Sequence, residues 1–242
     1  MNRGLAVAWS WRLPYWWRVS PGLAGGILYL VLPVLFFLPL EALPIFEDRL
    51  RGIALLLWFF AVAFALGVAA KRGPREEDSV WLFQKGIPLW EASVEDWLLD
   101  LGLAAVAAAW WASMGTLALL GSGLAPWSLW LSLLVLGLVT AVLAQTLVLV
   151  LSALGVPRAV DLTVLAILLS MLAPALTFQA SEELQTAVSW VLPPFQVAWT
   201  LAGALRSGLL NTGAAALLHI LVFTGCVLAL GLWRISRWRP NG

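Results

Sequence analysis

The chain has little charge, one cysteine and one histidine, and each scarcity closes off a class of chemistry. Charged residues make up 11% of the 242 positions, where a soluble globular chain carries about 25%. Hydrophobic residues reach 62% and the mean hydropathy is +0.94. A water-soluble fold of this length cannot hide that much apolar surface. Cys226 lies inside an apolar run, so neither an intrachain disulfide nor a cysteine metal cluster can form. One histidine, His219, with that cysteine and peripheral acids, does not make a metal site. No phosphate-binding loop of the G-x-x-x-x-G-K type occurs, so nucleotide binding would have to come from another chain. The formal net charge of +1 gives no electrostatic case for nucleic acid. Residues 1–20 lack a compact apolar stretch before a small-residue cleavage site, and are expected to be retained.

What is present is a series of long apolar runs. Six of them, at roughly 23–40, 52–70, 98–120, 127–151, 160–178 and 211–233, have about the 20 residues a spanning helix needs, with Asp100 and Asp161 at the edges of two. The expected fold is therefore an all-α integral membrane protein forming a single domain over 1–242. It comprises an amphipathic interfacial helix on 1–21, a six-span core on 22–235 and a tail on 236–242. Placing both termini in the cytoplasm puts Arg3, Arg12, Arg18, Lys71, Arg72, Arg75, Lys85, Arg158, Arg234, Arg237 and Arg239 inside, and only Arg49, Arg51 and Arg206 outside. That asymmetry follows the positive-inside rule and fits the inner membrane.

A seventh apolar stretch, 187–205, is interrupted by Pro193-Pro194, which remove two backbone donors and disfavour helix in the preceding residue. Unsatisfied backbone is costly in lipid. Residues 180–208 are therefore expected to form two short helical pieces that dip into the outer leaflet and return. The 16 tryptophans fall largely at span ends, as Trp81, Trp90, Trp97, Trp127, Trp130, Trp233 and Trp238 do. Trp9, Trp11, Arg12, Tyr15, Trp16, Trp17 and Arg18 suit a helix lying at headgroup level, serving as an anchor or as a specific contact.

The longest hydrophilic segment separates the second and third spans. Pro74 can open a helix, and Glu76, Glu77 and Asp78 suit its positive end. Val80, Trp81, Phe83 and Gln84 follow before Gly86 and Pro88 stop it. Ser93 with Asp96 has the spacing of a capping box that would start the third span. By itself the segment is either a docking helix or a solvated loop with a tryptophan on the membrane surface.

This order of features resembles the permease subunit of a type 2 ABC transporter. Arg75-Glu-Glu-Asp-Ser-Val-Trp-Leu-Phe resembles that family's acidic stretch and apolar coupling helix, Ile87-Pro88-Leu89 its leucine-proline turn, and Trp190-Val-Leu-Pro-Pro-Phe its re-entrant outer helices. The family's glycine after the acidic pair is here Asp78 or Ser79, and its lysine after the turn is Leu98, so no lysine role is carried over. The resemblance implies an exporter subunit with no catalysis of its own. Separate ABC ATPase subunits would bring ATP and Mg2+, and a like or unlike second permease would complete the pathway. The coupling helix would use Glu76, Glu77, Asp78, Trp81, Phe83 and Pro88, and the outer gate Pro193, Pro194 and Phe195. A lipid or hydrophobic substrate would suit an apolar lining. A haem-exporter-type membrane subunit has similar length and topology.

Other assignments stay open from sequence alone. Ser113, Thr116, Gln145, Thr146 and Gln179 either line a passage or join helices by hydrogen bonds. Asp161 pairs with Arg158 or acts as a helix-start acid, and Glu182 and Glu183 edge the re-entrant region. An intramembrane enzyme would have to combine Ser113 or Ser170 with His219, and a scaffold or channel would need no site at all.

Overall fold

The computed structural model describes residues 30–39, 48–70, 89–121, 123–176, 181 and 193–237. Among these there are seven helices and no strand. They are a short 3-10 helix at Leu32–Phe37 and six α-helices: α1 Arg49–Ala70, α2 Leu89–Ala118, α3 Pro126–Ala153, α4 Ala159–Leu176, α5 Phe195–Ser207 and α6 Leu210–Ser236. Four of them, α1, α2, α3 and α6, are long and apolar enough to cross a membrane. The interfacial segment 1–21 and the coupling segment, with Glu76, Glu77, Asp78, Trp81, Phe83 and Pro88, lie outside the described residues, as do Gln179, Glu182, Glu183 and the first re-entrant piece.

Local chemistry sets the helix ends. Asp48 caps α1, its carboxylate accepting from the Leu50 amide at 3.0 Å and its carbonyl from the Gly52 amide at 2.9 Å. Pro126 stands in the first turn of α3, where its missing N–H costs nothing. In the described part of the first expected span, Leu30 and Val31 are α-helical and Leu32–Phe37 tighten into a 3-10 helix. Pro33 sits in its first turn, and Leu38, held before Pro39, is extended with ψ 154°. Proline restricts the residue before it to this extended region.

One expectation fails at α2. This helix runs unbroken from Leu89, with Glu91 in its first turn, so Ser93 lies inside it and starts nothing. An acid in the first turn facing the positive helix end does the work assigned to the capping box. Because α2 begins nine residues before the expected 98, Asp100 falls within the helix body, and it is buried with 7% of its surface exposed.

α3 is the axis of the bundle. It is the most enclosed of the four long helices, with 61% of its apolar stretch buried against 22% for α6, and it touches all five other α-helices. Leu129, Leu133, Leu136 and Leu143 of α3 meet Ile53, Leu57, Phe60 and Phe64 of α1, Trp111 of α2, and Phe195 and Leu201 of α5 in one core. Gly137 permits a close approach of three helices. A Cβ there would stand 2.9 Å from Leu57 Cδ2 and 3.3 Å from Ala108 Cβ, so α1, α2 and α3 meet where only hydrogen fits. Gly137→Leu is expected to cost about 1–3 kcal/mol through overpacking, read as a lower unfolding temperature of the detergent-purified protein. An unchanged temperature would show that the three helices are not in contact there.

The outer faces are apolar. Leu162, Leu165, Leu168, Leu169 and Leu172 of α4, and Leu217, Leu218, Leu221 and Val222 of α6, are all exposed. Contiguous patches of this kind belong against lipid or another protein. Aromatic anchors mark the helix ends: Trp127 stacks on Trp130 at 5.4 Å where α3 begins, and the Arg237 guanidinium lies 4.4 Å from the Trp233 ring where α6 ends.

Candidate functional site

Two regions hold several of the described residues singled out from sequence. The first is the break before α5. Pro194 occupies the N-cap of α5, and the Phe195 amide donates to the Pro193 carbonyl at 2.8 Å. With no N–H on either proline, the chain cannot carry a helix through this point, and α5 starts directly after it. Phe195 is fully buried in the core, and Gln196 donates from Nε2 to the Met171 carbonyl at 3.3 Å, which joins α5 to α4. Phe195 thus seats the start of α5 against the bundle. At the other end Gly208 adopts φ 72°, and the Leu209 amide returns to the Ala204 carbonyl at 3.0 Å. That left-handed cap ends α5 and lets α6 begin two residues later.

The second region lies between α2 and α3. Gln145 is 3% exposed and its Nε2 donates to the Asp100 carbonyl at 3.4 Å, a hydrogen bond that joins the two helices. Its Oε1, and the Oγ1 of the adjacent Thr146, which is 1% exposed, are buried with no hydrogen-bond partner among the described residues. Unsatisfied polar atoms at such depth are rare in native folds and call for a reason.

Several other hydroxyls serve their own helices. Thr116, Thr140, Thr163 and Ser170 each donate to the carbonyl four residues back, at 2.7–2.8 Å. Ser113 donates to the Ala109 carbonyl at 2.7 Å and accepts from Trp130 Nε1 at 3.0 Å. Neither Ser113 nor Ser170 is therefore held with its proton aimed at a base, the geometry an activated serine requires. His219 is half-buried on α6. Asp161 sits exposed in the first turn of α4, as a helix-start acid does, and the preceding Arg158 takes a left-handed φ of 61°. Among the described residues no group of three His, Cys, Asp or Glu side chains could hold a metal ion.

Sequence reading missed Trp110 and Trp111, which fall in mid-span and not in a belt. Trp111 is 1% exposed, with Phe60 at 6.0 Å and Phe64 edge-on at 5.8 Å, while Trp110 donates from Nε1 to the Leu30 carbonyl at 3.3 Å. The signal was their place at the centre of an apolar run, far from either headgroup level. No family model, curated protein or solved structure matches the chain.

Replacing Gln145 by Leu is expected to change stability by less than about 1 kcal/mol. Interhelical hydrogen bonds in membranes average about 0.6 kcal/mol, and the change also removes an unsatisfied acceptor. A much larger loss in an unfolding assay would mean that the amide makes stronger contacts than this one bond.

Proposed function

We propose that the chain is the membrane-spanning permease subunit of an ABC-type exporter in the inner membrane, with six spans and both termini cytoplasmic. Two such subunits form the pathway. Separate ATPase subunits, which bring ATP and Mg2+, dock on the segment carrying Glu76, Glu77, Asp78, Trp81, Phe83 and Pro88. Closure of their nucleotide sites pulls on this segment, and the pull passes into α2, whose described part starts at Leu89.

The observation that carries the reading is α5. It has 13 residues, about 20 Å of helix against a hydrocarbon core of about 30 Å, and is bounded by Pro193-Pro194 and a left-handed Gly208. A helix so short and so closely followed by α6 supports a re-entrant outer piece, with Pro193, Pro194 and Phe195 at the outer gate. An even number of spans then keeps the basic C-terminus inside. The unsatisfied Gln145 Oε1 and Thr146 Oγ1 support a rearranging interior, since they would gain polar partners when the halves part.

Affinity purification of the tagged chain from native membranes in mild detergent tests the assignment. An ABC ATPase should co-purify with a complex holding two permease chains. A monomer that never brings down an ATPase would refute it.

A further inference from the structure

The faces that α4 and α6 turn outward are hydrocarbon, but the outward face of α5 is not. Gln196, Thr200, Gly203, Arg206 and Ser207 recur along it at helical spacing, opposite the buried Ala198, Leu201 and Ala202. Thr200, Arg206 and Ser207 are exposed, and Gln196 and Gly203 are half-buried. Trp199 borders this face, and no aliphatic side chain stands on it. A Cβ on Gly203 would meet nothing within 4 Å, so the face is uncovered there.

The face lies at membrane depth. Only Gly208 and Leu209 separate α5 from α6, and the two helices pack as a hairpin in which a Cβ on Gly213 would stand 3.4 Å from Ala204 and 3.9 Å from Leu201. No Asp, Glu, Lys or Arg interrupts α6 before Arg234. Counting back from Arg234 the roughly 20 residues that cross a hydrocarbon core reaches Ala214, level with Ala204. At about 1.5 Å of rise per residue, Thr200 then lies about 6 Å and Gln196 about 12 Å inside the apolar layer, with Arg206 and Ser207 at its edge.

Polar groups against lipid are costly, and helical hydroxyls avoid the cost by bonding their own backbone. Thr116, Thr140 and Thr163 do so, whereas the Thr200 hydroxyl makes no hydrogen bond among the described residues. Gln196 uses its amide nitrogen on the Met171 carbonyl, and its Oε1 accepts from no described residue. Arg206 makes no ion pair among them.

We infer that this face of α5 lines a water-filled vestibule that opens at the turn between α5 and α6 and favours anions, with Arg206 at the mouth and Thr200 and Gln196 deeper in the wall. Water satisfies the Thr200 hydroxyl and the Gln196 carbonyl where lipid cannot. Low-dielectric walls focus the field of the Arg206 charge into the opening. The inference rests on the re-entrant α5 of the permease reading, and under it the solute at the outer gate presents a polar or anionic group.

The test uses the full chain in a Cys226→Ser background, reconstituted in liposomes that are loaded with thiol reagent on both sides by freeze and thaw. Single cysteines are introduced as Gln196→Cys, Thr200→Cys and Leu218→Cys. Two methanethiosulfonates, one bearing a sulfonate and one a quaternary ammonium, label a thiol only where water lets the thiolate form. Gln196→Cys and Thr200→Cys should react at least about tenfold faster than Leu218→Cys, an exposed position of α6 at the depth of Thr200. The ratio of sulfonate to ammonium rates at Thr200→Cys should exceed that of free cysteine, and adding Arg206→Ala should lower it about threefold or more. Labelling of both α5 cysteines as slow as that of Leu218→Cys would overturn the vestibule, since lipid or a second chain then covers the face. A ratio untouched by Arg206→Ala would overturn the preference for anions. Either failure would leave ATPase co-purification intact, and so is distinct from failure of the permease reading.

Discussion

Trp111→Ala is expected to lower the stability of the protein by about 3–5 kcal/mol, the range for deleting a large buried aromatic side chain. Trp111 is 1% exposed and bridges helices, with Phe60 and Phe64 of α1 against it and Phe36 stacked on Phe60 at 5.8 Å. In a bilayer the loss does not come from hydration, because the separated helices would be covered by lipid. It comes from packing contacts that a cavity cannot replace. Thermal unfolding in detergent measures it. Trp111→Phe should lose clearly less, since a ring remains to meet Phe64, whereas equal losses would show that the contact with α1 contributes nothing.

The second large effect concerns the proposed docking segment. In a complex reconstituted with its ATPase, replacing Trp81 and Phe83 together by Ala is expected to return ATP hydrolysis to the rate of the ATPase alone, with the permease still folded. The physical basis is the concentration of docking energy in a few aromatic anchors, each worth 2 kcal/mol or more when truncated, an estimate that makes about a thousandfold loss of docking affinity for the pair. Steady-state hydrolysis with and without the variant reads this directly. Full stimulation by the double variant would remove Trp81 and Phe83 from the coupling role and leave the solvated-loop alternative.

The two predictions differ in how they could be found. Trp81 and Phe83 were singled out because they stand in a hydrophilic setting, between acids and a Gly-Pro stop, where an aromatic needs a partner. Trp111 was legible as mid-span but not as core, because a tryptophan at the centre of an apolar run has the same local signature whether it faces lipid or protein. The helix limits show a similar division. The break at Pro193-Pro194 was readable as a backbone restriction. The start of α2 was misjudged because Ser93 and Asp96 have capping spacing, yet the helix extends through them from Leu89. Spacing shows what a side chain can cap; the hydrogen bonds formed decide what it does.

The polar residues mark the limit of the candidate site. Gln145 and Asp100 are 45 positions apart, and nothing local brings them together; the packing of α2 on α3 does, through one hydrogen bond at 3.4 Å. The resemblance made Phe195 part of an outer gate, and its complete burial shows that it seats the start of α5 against the bundle.

By itself the sequence determined that the described residues are helical, with helices apolar enough to cross a membrane, and that a break falls at Pro193-Pro194. Those properties follow from hydropathy over about 20 residues and from proline geometry, both of which act locally. The tertiary structure alone decided that α3 is the axis, that Gly137 is a contact point and that Trp111 belongs to the core. A helix that is apolar all round carries no stripe to say which face meets protein and which meets lipid, so only packing chooses.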